Sequence, residues 1–391
     1  MSFVAYGSAG LVLAAVLFLV GRAALGAPRV PALAAFAPLD PENCPAATIV
    51  VAARDEAAGV ARGVRSLLGQ DHPGLRVVAV DDRSTDGTGA ILDRLAAEDR
   101  RLEVLHVESL PAGWLGKCHA LALGAERARG EWLLFTDADV VLEPSALRRG
   151  LALAAARGLD HLTAGPAVSG KGFWLNVYLS GFTTLFGLWV APWSAADPRS
   201  RVAIGIGAFN LVREEAYRAV GGHGAIRLFP DDDLELGRRL KGAGFRQMLA
   251  GGRGAVEVEW YPSVRAAARG LEKNIFSAFD FRLSLAVAGL ALLLLLHVVP
   301  FVAAPLAAVP ARWLWAAAAL AQVGAAAGAS RRTGVPPWTA LLLPFAVLQQ
   351  IAISVRAIAL NLRDGGIRWR ETFHPLDQLR AARRDRPLRR R

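Results

Sequence analysis

Short apolar runs at residues 48–53, 76–80, 102–107 and 131–136 alternate with amphipathic stretches in the first third of this chain. Between them Val60, Val64, Leu67 and Leu68 repeat at the spacing of one helical face. Ile91, Leu92 and Leu95 line a second helix, and a third is expected over 117–129. Repeated strand–helix alternation predicts an α/β domain built on a Rossmann-like, largely parallel sheet. Ligands of such folds bind beyond the carboxyl ends of the strands, and the acidic clusters fall there.

Apolar residues make up 53% of the 391 residues, unevenly spread. Residues 3–20 form one uninterrupted apolar run, long enough to cross a bilayer as a helix. Residues 1–8 carry no charged side chain, whereas a signal peptide wants a basic start. Arg22 and Arg29 follow the run, so the positive-inside tendency puts the next domain in the cytoplasm. An uncleaved anchor at 1–27 is expected. Pro28, Pro31, Pro38, Pro41 and Pro45 mark a linker at 28–46 that cannot stay helical.

The α/β domain is expected over 47–282, a membrane region of two to three helices over 283–362, and a basic tail over 363–391. The apolar blocks of that region are 283–309, 313–328 and 338–360. Three crossings would leave the Arg-rich tail outside, against the charge rule, and Pro344, Gln349, Gln350 and Arg356 make the last block a candidate re-entrant or interfacial segment. The apolar stretch 173–193 is expected at the interface or packed on the α/β domain. Were it to cross, the acidic clusters on either side of it would face opposite compartments. Trp174, Trp189 and Trp193 suit the head-group zone. The whole reads as a multi-pass protein of the cell membrane.

Net charge is +11, and Arg383, Arg384, Arg386, Arg389, Arg390 and Arg391 crowd the C-terminus. Beside so much apolar sequence, anionic lipid head groups are a better partner for that tail than nucleic acid. Cys44 and Cys118 match no metal or redox spacing and read as packing residues. His119, His223 and His297 form no ligand pattern; His297, inside an apolar block, is either functional or near a helix end. The Gly205–Gly207 and Gly221-Gly222 pairs read as turns or close approaches.

Three acidic clusters carry the chemistry. Asp81-Asp82-Arg83-Ser84-Thr85-Asp86 follows the second strand, where carboxylates can accept hydrogen bonds from a nucleobase and ribose; a capped turn is the plainer reading. Asp137-Ala138-Asp139 ends the fourth strand. Residues two apart on a strand share a face, so both carboxylates are expected on one ligand. Mg²⁺ and similar cations take few carboxylates plus substrate phosphates, which suits an open Asp-x-Asp site. Asp231-Asp232-Asp233 opens an amphipathic helix, whose dipole favours negative charge. One of these aspartates, shielded in a cleft, would serve as a general base.

The ordered set Ala53-Arg54-Asp55-Glu56, Asp81-Asp82-Arg83-Ser84-Thr85-Asp86, Gly116-Lys117, Asp137-Ala138-Asp139, Gly221-Gly222-His223 and Asp232-Asp233-Leu234-Glu235-Leu236 resembles family 2 glycosyltransferases with the GT-A fold. The resemblance runs from about Thr48 to Asn274. It implies that Arg54, Asp55, Glu56, Asp81 and Asp82 line the nucleoside site, with Asp82 on the base and Lys117 near the nucleotide. Asp139 would ligate a divalent cation, Mg²⁺ or Mn²⁺, and Asp137 would contact ribose or sugar. Asp233 would be the base, with Asp232 beside it, and a single in-line base implies inversion. Where processive synthases of similar fold carry Gln-x-x-Arg-Trp, this chain reads Arg269-Gly270-Leu271-Glu272-Lys273-Asn274. That departure weighs against a polymerase. The stretch, together with Gly366-Ile367-Arg368-Trp369-Arg370, is similar to bacterial carotenoid and glycolipid glycosyltransferases. Lys273 would contact the diphosphate or remain a solvated charge.

The resulting expectation is a transferase moving a hexose from a nucleotide-sugar, a UDP-hexose by preference, to a membrane lipid. A polyprenyl-phosphate sugar transferase and a non-catalytic nucleotide-binding scaffold are the alternatives.

Overall fold

The structure is a computed structural model describing residues 2–168, 170–369 and 372–384, with side chains from residue 6 onward. The basic residues Arg386–Arg391 and Arg370 lie outside the described residues. In chain order the elements begin α1 (Ser2–Gly26), β1 (Ala47–Ala53), α2 (Val60–Leu68), β2 (Arg76–Asp82), α3 (Thr88–Glu98), β3 (Leu102–Val107) and α4 (Gly116–Arg127). They continue with β4 (Trp132–Asp137), β5 (Val141–Leu142), α5 (Ala146–Arg157), β6 (His161–Gly165), β7 (Ala167–Val168), α6 (Phe173–Val190), β8 (Asn210–Arg213) and α7 (Glu214–Ala219). Then come α8 (Asp232–Gly242), β9 (Gln247–Gly251), β10 (Val256–Val258), α9 (Val264–Ala278), α10 (Leu283–His297), α11 (Val299–Leu306), α12 (Ala311–Thr333) and α13 (Leu343–Arg363). A hairpin of β11 (Gly366–Trp369) and β12 (Thr372–Pro375) leads to α14 (Leu376–Arg384).

These elements divide into two compact units. An α/β unit comprises Val30–Ala167 and Pro192–Glu259; a helical unit comprises α1, Val168–Ala191 and residues 260–384 as far as they are described.

The α/β unit holds a seven-stranded sheet of order β3-β2-β1-β4-β8-β6-β9. All pairs are parallel except those of β8 with β4 and β6. Parallel strands covered on both faces are apolar throughout. Ile49, Val50, Val51, Val77, Val78, Val80, Leu133 and Leu134 are accordingly buried. The register sets Ala53 beside Asp81 and Ala52 beside Asp137, so β1, β2 and β4 end level. β2 runs past the expected Val80 because Asp81 and Asp82 keep their ladder partners, His106 and Val107 of β3.

The proline-rich segment forms short 3-10 turns and is held to the α/β unit. Leu33 is fully buried, Gly251 N–H donates to Pro31 O at 2.8 Å, and Arg148 Nε donates to Leu39 O at 2.7 Å.

In the helical unit, Ala9, Val12, Val16 and Leu19 of α1 pack with Leu188, Leu296, Trp315 and Ala318. Leu175, Tyr178 and Leu179 of α6 pack against α9 and α13 through Leu271, Ile275, Ile353 and Ala357. So α6 packs among the apolar helices of its own unit. Its buried hydroxyls are matched inside the bundle: Ser180 Oγ meets Ser330 Oγ at 2.9 Å, and Tyr178 OH donates to Gln350 Oε1 at 3.0 Å. Four stretches are long and apolar enough to cross a membrane: Tyr6–Arg29, Phe173–Val190, Leu283–Leu306 and Pro337–Arg363. The block at 313–328 lies in α12, which is rich in alanine, ends in Arg331 and Arg332, and is not among the four.

Candidate active site

Asp81 and Asp82 are neighbours on β2, so their side chains leave opposite faces of the sheet. The Asp82 carboxylate receives Arg83 Nε and Nη2 at 2.8 and 3.0 Å, with Arg54 Nη1 at 3.6 Å. A Cβ on Gly116 would stand 2.1 Å from Asp82 Oδ2, so only glycine lets the start of α4 lie this close. Asp81 turns the other way, to His106 Nδ1 at 3.1 Å. The two aspartates read from the sequence as one nucleoside-binding pair are thus separated by the sheet.

Asp55 and Glu56 bind the loops after β1 and β2 to each other. Asp55 N–H donates to Ser84 Oγ at 3.0 Å, and Asp55 Oδ1 accepts Thr85 N–H at 2.9 Å. Glu56 N–H donates to Thr88 Oγ1 at 2.8 Å, and Ala57 N–H to Asp86 Oδ2 at 2.9 Å. Asp86 Oδ1 in turn accepts Thr88 N–H at 3.1 Å. Asp55 holds a left-handed φ of 52°, a conformation that aspartate tolerates better than most residues. Arg54, directly before it, is thereby aimed at Asp82.

Lys117, the second residue of α4, gathers the other two clusters. Its Nζ lies 2.8 Å from Asp137 Oδ1 and 3.5 Å from Asp232 Oδ1. Burial works against its charge, yet the fields of Asp137, Asp232 and Asp233 outweigh that and hold its pKa well above that of an ordinary lysine. Asp233 Oδ2 accepts Gly207 N–H at 2.7 Å, and its Oδ1 accepts Leu234 N–H at 2.7 Å. Burial and the charge of Asp232 push the Asp233 carboxyl up to about 7, against the pull of Lys117. Of the three successive aspartates, Asp231 is drawn off to Arg238 Nη1 at 3.2 Å.

Gly207 is the residue whose function the sequence did not disclose. A Cβ there would sit 2.7 Å from Asp137 Oδ2, while its N–H holds Asp233. The Gly205–Gly207 spacing was the available signal, and it read only as close approach. His223 packs edge-on to Phe135 at 4.8 Å and faces Tyr217 OH at 2.9 Å. Burial, helped by Lys117, lowers its pKa to about 3, so it is a neutral wall 4.0 Å from Asp232.

Asp139 departs from the strand argument. β4 ends at Asp137, and Asp139 lies in the following turn, so alternation along a strand does not set its direction. The turn nevertheless leaves it within the field of Asp137: surrounding protein, then that charge, raise its carboxyl to about 6. Two neighbouring carboxylates, the exposed Asp139 with its ionisation disfavoured by Asp137, fit a divalent cation completed by substrate phosphates. Among the described residues no cluster of three or more His, Cys, Asp or Glu forms a closed metal cage.

In the helical unit the two segments singled out from the sequence meet. Lys273 Nζ lies 3.7 Å from the centre of the Trp369 ring, which occupies the lysine within this unit. His297 closes α10 and is satisfied by Gln322 Oε1 at 2.6 Å and Trp189 Nε1 at 3.1 Å. It is a packing residue.

Parallel strands ending level, with acidic groups beyond them, invite comparison with known proteins, and residues 48–221 match the family described as Glycosyl transferase family 2. This chain carries a family 2 glycosyl transferase domain. The match holds Arg54, Asp82, Lys117, Asp137 and Asp139 and stops before Asp232 and Asp233. The domain is similar to the beta-monoglucosyldiacylglycerol synthase of Synechocystis sp., 30% identical over 203 residues, covering 50% of this chain and 40% of that protein. It is also similar to the protein of that name from Nostoc sp., 28% identical over 207 residues, 51% and 42% of the two chains. Succinoglycan biosynthesis protein ExoO of Rhizobium meliloti is 34% identical over 117 residues, 30% of this chain and 32% of that protein. The chain thus spans less than half the length of each of these relatives. Mannosyltransferase PcManGT from Pyrobaculum calidifontis, solved with GDP-Man and Mn²⁺, shares the fold: TM-score 0.54 at 21% identity, over 92% of this chain and 98% of that one.

Proposed function

We propose that this chain is an inverting, metal-dependent glycosyltransferase that moves a hexose from a nucleotide-sugar to a membrane lipid, a carotenoid or another glycolipid precursor. One observation carries the reading: Asp137, Asp232 and Asp233, from segments about a hundred residues apart, converge on Lys117. Three acids around one half-buried lysine would be an extravagant structural device, whereas a diphosphate, a cation and a reacting hydroxyl need both signs of charge in one place.

In this reading Asp82 and Arg54 hold the nucleoside, in a pocket walled by the Asp55–Ser84 and Glu56–Thr88 bonds. Asp139, with Asp137, would hold the divalent cation, which would supply positive charge against the diphosphate. Lys117 balances the carboxylates and turns to the diphosphate when donor enters. Asp233 accepts the proton of the acceptor hydroxyl as its oxygen bonds to the anomeric carbon and the bond to the diphosphate breaks. The raised Asp233 pKa makes it a stronger base than a free carboxylate. Attack opposite the leaving group inverts the configuration.

A lipid acceptor is supported by the names of two relatives and by the apolar surface of the helical unit, where Leu11, Leu25, Leu306, Trp313 and Leu320 are exposed. Side chains of that kind in such number belong against hydrocarbon. The reading places the helical unit in the cell membrane and the site on its cytoplasmic side. The test is to incubate membranes containing the protein with labelled nucleotide-sugars and Mn²⁺, then extract lipid. Label in an acid-stable, β-linked glycolipid is expected. Nucleotide-sugars left intact with every acceptor fraction would leave a nucleotide-binding scaffold, and an acid-labile sugar phosphodiester would redirect the reading to a polyprenyl phosphate.

A further inference from the structure

His106 stands at the end of β3, directly beside Asp81 in the parallel register. Its ring lies between two carboxylates: Nδ1 is 3.1 Å from Asp81 Oδ2, and Nε2 is 2.9 Å from Asp93 Oδ1 of α3. A neutral imidazole has one N–H and one lone pair, so it can satisfy only one of these oxygens and must oppose the other. Only the imidazolium donates to both. Among the described residues, the charged groups facing the ring are Asp81 from β2 and Asp93 from α3. Gly89 of α3 covers the pair closely: a Cβ there would lie 2.6 Å from Asp81 Oδ2 and 3.3 Å from His106 Cε1.

From this pair a line of hydrogen bonds runs to the proposed nucleoside pocket. Asp81 Oδ1 accepts Ser84 N–H at 3.3 Å, and Ser84 Oγ accepts Asp55 N–H at 3.0 Å. Asp55 closes back on Thr85 N–H and sets the direction of Arg54 toward Asp82. Nothing in the transfer chemistry needs Asp81 or His106, since both lie on the far side of the sheet from Lys117 and Asp233. Because the ring is 45% exposed, its proton exchanges freely with solvent.

We infer that His106 is a positioning residue for donor binding: as an imidazolium it clamps Asp81, and through Ser84 and Asp55 it holds the loop after β2 in the shape that receives the nucleoside. The inference rests on the proposed glycosyltransferase reading and adds to it a proton-dependent donor affinity. The neighbouring carboxylates raise the His106 pKa, so the clamp is intact below that raised value and is lost as pH climbs through it.

The test uses the full chain in detergent and measures binding of UDP and of GDP, each with Mg²⁺, from pH 6 to 8.5, alongside steady-state turnover. Wild type should bind one of the two more weakly as pH rises. His106→Gln, which stays uncharged and carries its N–H groups on one nitrogen at every pH, should bind it roughly three- to tenfold more weakly at pH 6 and lose the pH dependence. Its kcat at saturating donor should stay within about twofold, which is the split expected of lost ground-state binding. Asp93→Asn, at an exposed carboxylate whose loss leaves the core untouched, should move the wild-type fall to lower pH. A His106→Gln protein that binds like wild type across the range, or an Asp93→Asn profile that does not move, overturns the clamp alone. Wild type that binds neither nucleotide at any pH overturns the glycosyltransferase reading along with it.

Discussion

The two units treat buried polarity in opposite ways. In the helical unit each internal polar group described above finds a near-neutral partner: Ser180 with Ser330, Tyr178 with Gln350, His297 with Gln322 and Trp189. In the α/β unit, the charge of Asp137 bears on Asp139 and that of Asp232 on Asp233, raising the pKa of Asp139 and of Asp233, with Lys117 set against them. Among apolar helices such pairing is favoured, because a polar atom left over in apolar surroundings is costly. A site built to receive a charged substrate keeps its charges incompletely balanced, and the substrate completes them. Satisfaction marks the scaffold, and residual conflict marks the chemistry.

That contrast can be broken most sharply at Asp233. Asp233→Asn should cut transfer by roughly 10²- to 10⁴-fold while leaving nucleotide affinity within a few-fold, because a base acts in the transition state. Turnover near that of wild type would remove Asp233 from the role. Next in size, Asp139→Ala should weaken Mn²⁺-supported donor binding by at least about tenfold, read by titrating donor at fixed metal. Donor affinity unchanged at saturating Mn²⁺ would take the cation away from Asp139.

The pH dependence gives a third measure. A carboxyl raised to about 7 is protonated, and useless as a base, below that pH. So kcat/KM should fall on the acid side with a midpoint near 7, and a limb near 4 would contradict the burial of Asp233. A gentler test is Gly116→Ala, whose new methyl would meet Asp82 Oδ2. It should raise donor KM several-fold and cost roughly 1–3 kcal/mol of stability by overpacking. Smallest in activity, Gln322→Leu should lower thermal stability in detergent by about 1–3 kcal/mol by orphaning His297, with UDP affinity unmoved. A Gln322→Leu protein of normal stability but altered donor binding would erase the distinction between the two units.

Much of the α/β sheet was legible because parallel strands need long apolar runs and their crossovers need amphipathic helices. Both periods are visible in residues such as Val60, Val64, Leu67 and Leu68. Strand ends were less so: Asp81 and Asp82 look like loop residues, yet backbone pairing with β3 is indifferent to their charge. The same local argument put Asp139 on the strand, whereas it lies in the turn after β4, which a period of two cannot describe. Nor does hydropathy, which registers how apolar α6 is, disclose that α9 and α13 cover it.

By itself the sequence determined which side chains were available, acid or base, apolar or polar, and the order in which strands and helices present them. That order sufficed to put carboxylates at strand ends, because alternation and burial act between near neighbours in the chain. Tertiary structure alone decided that Asp82 meets Gly116, that Asp81 turns away to His106, and that Gly207 lies between Asp137 and Asp233. Those contacts join residues tens of positions or more apart, and close packing with directional hydrogen bonds, which leave no local trace, selects them.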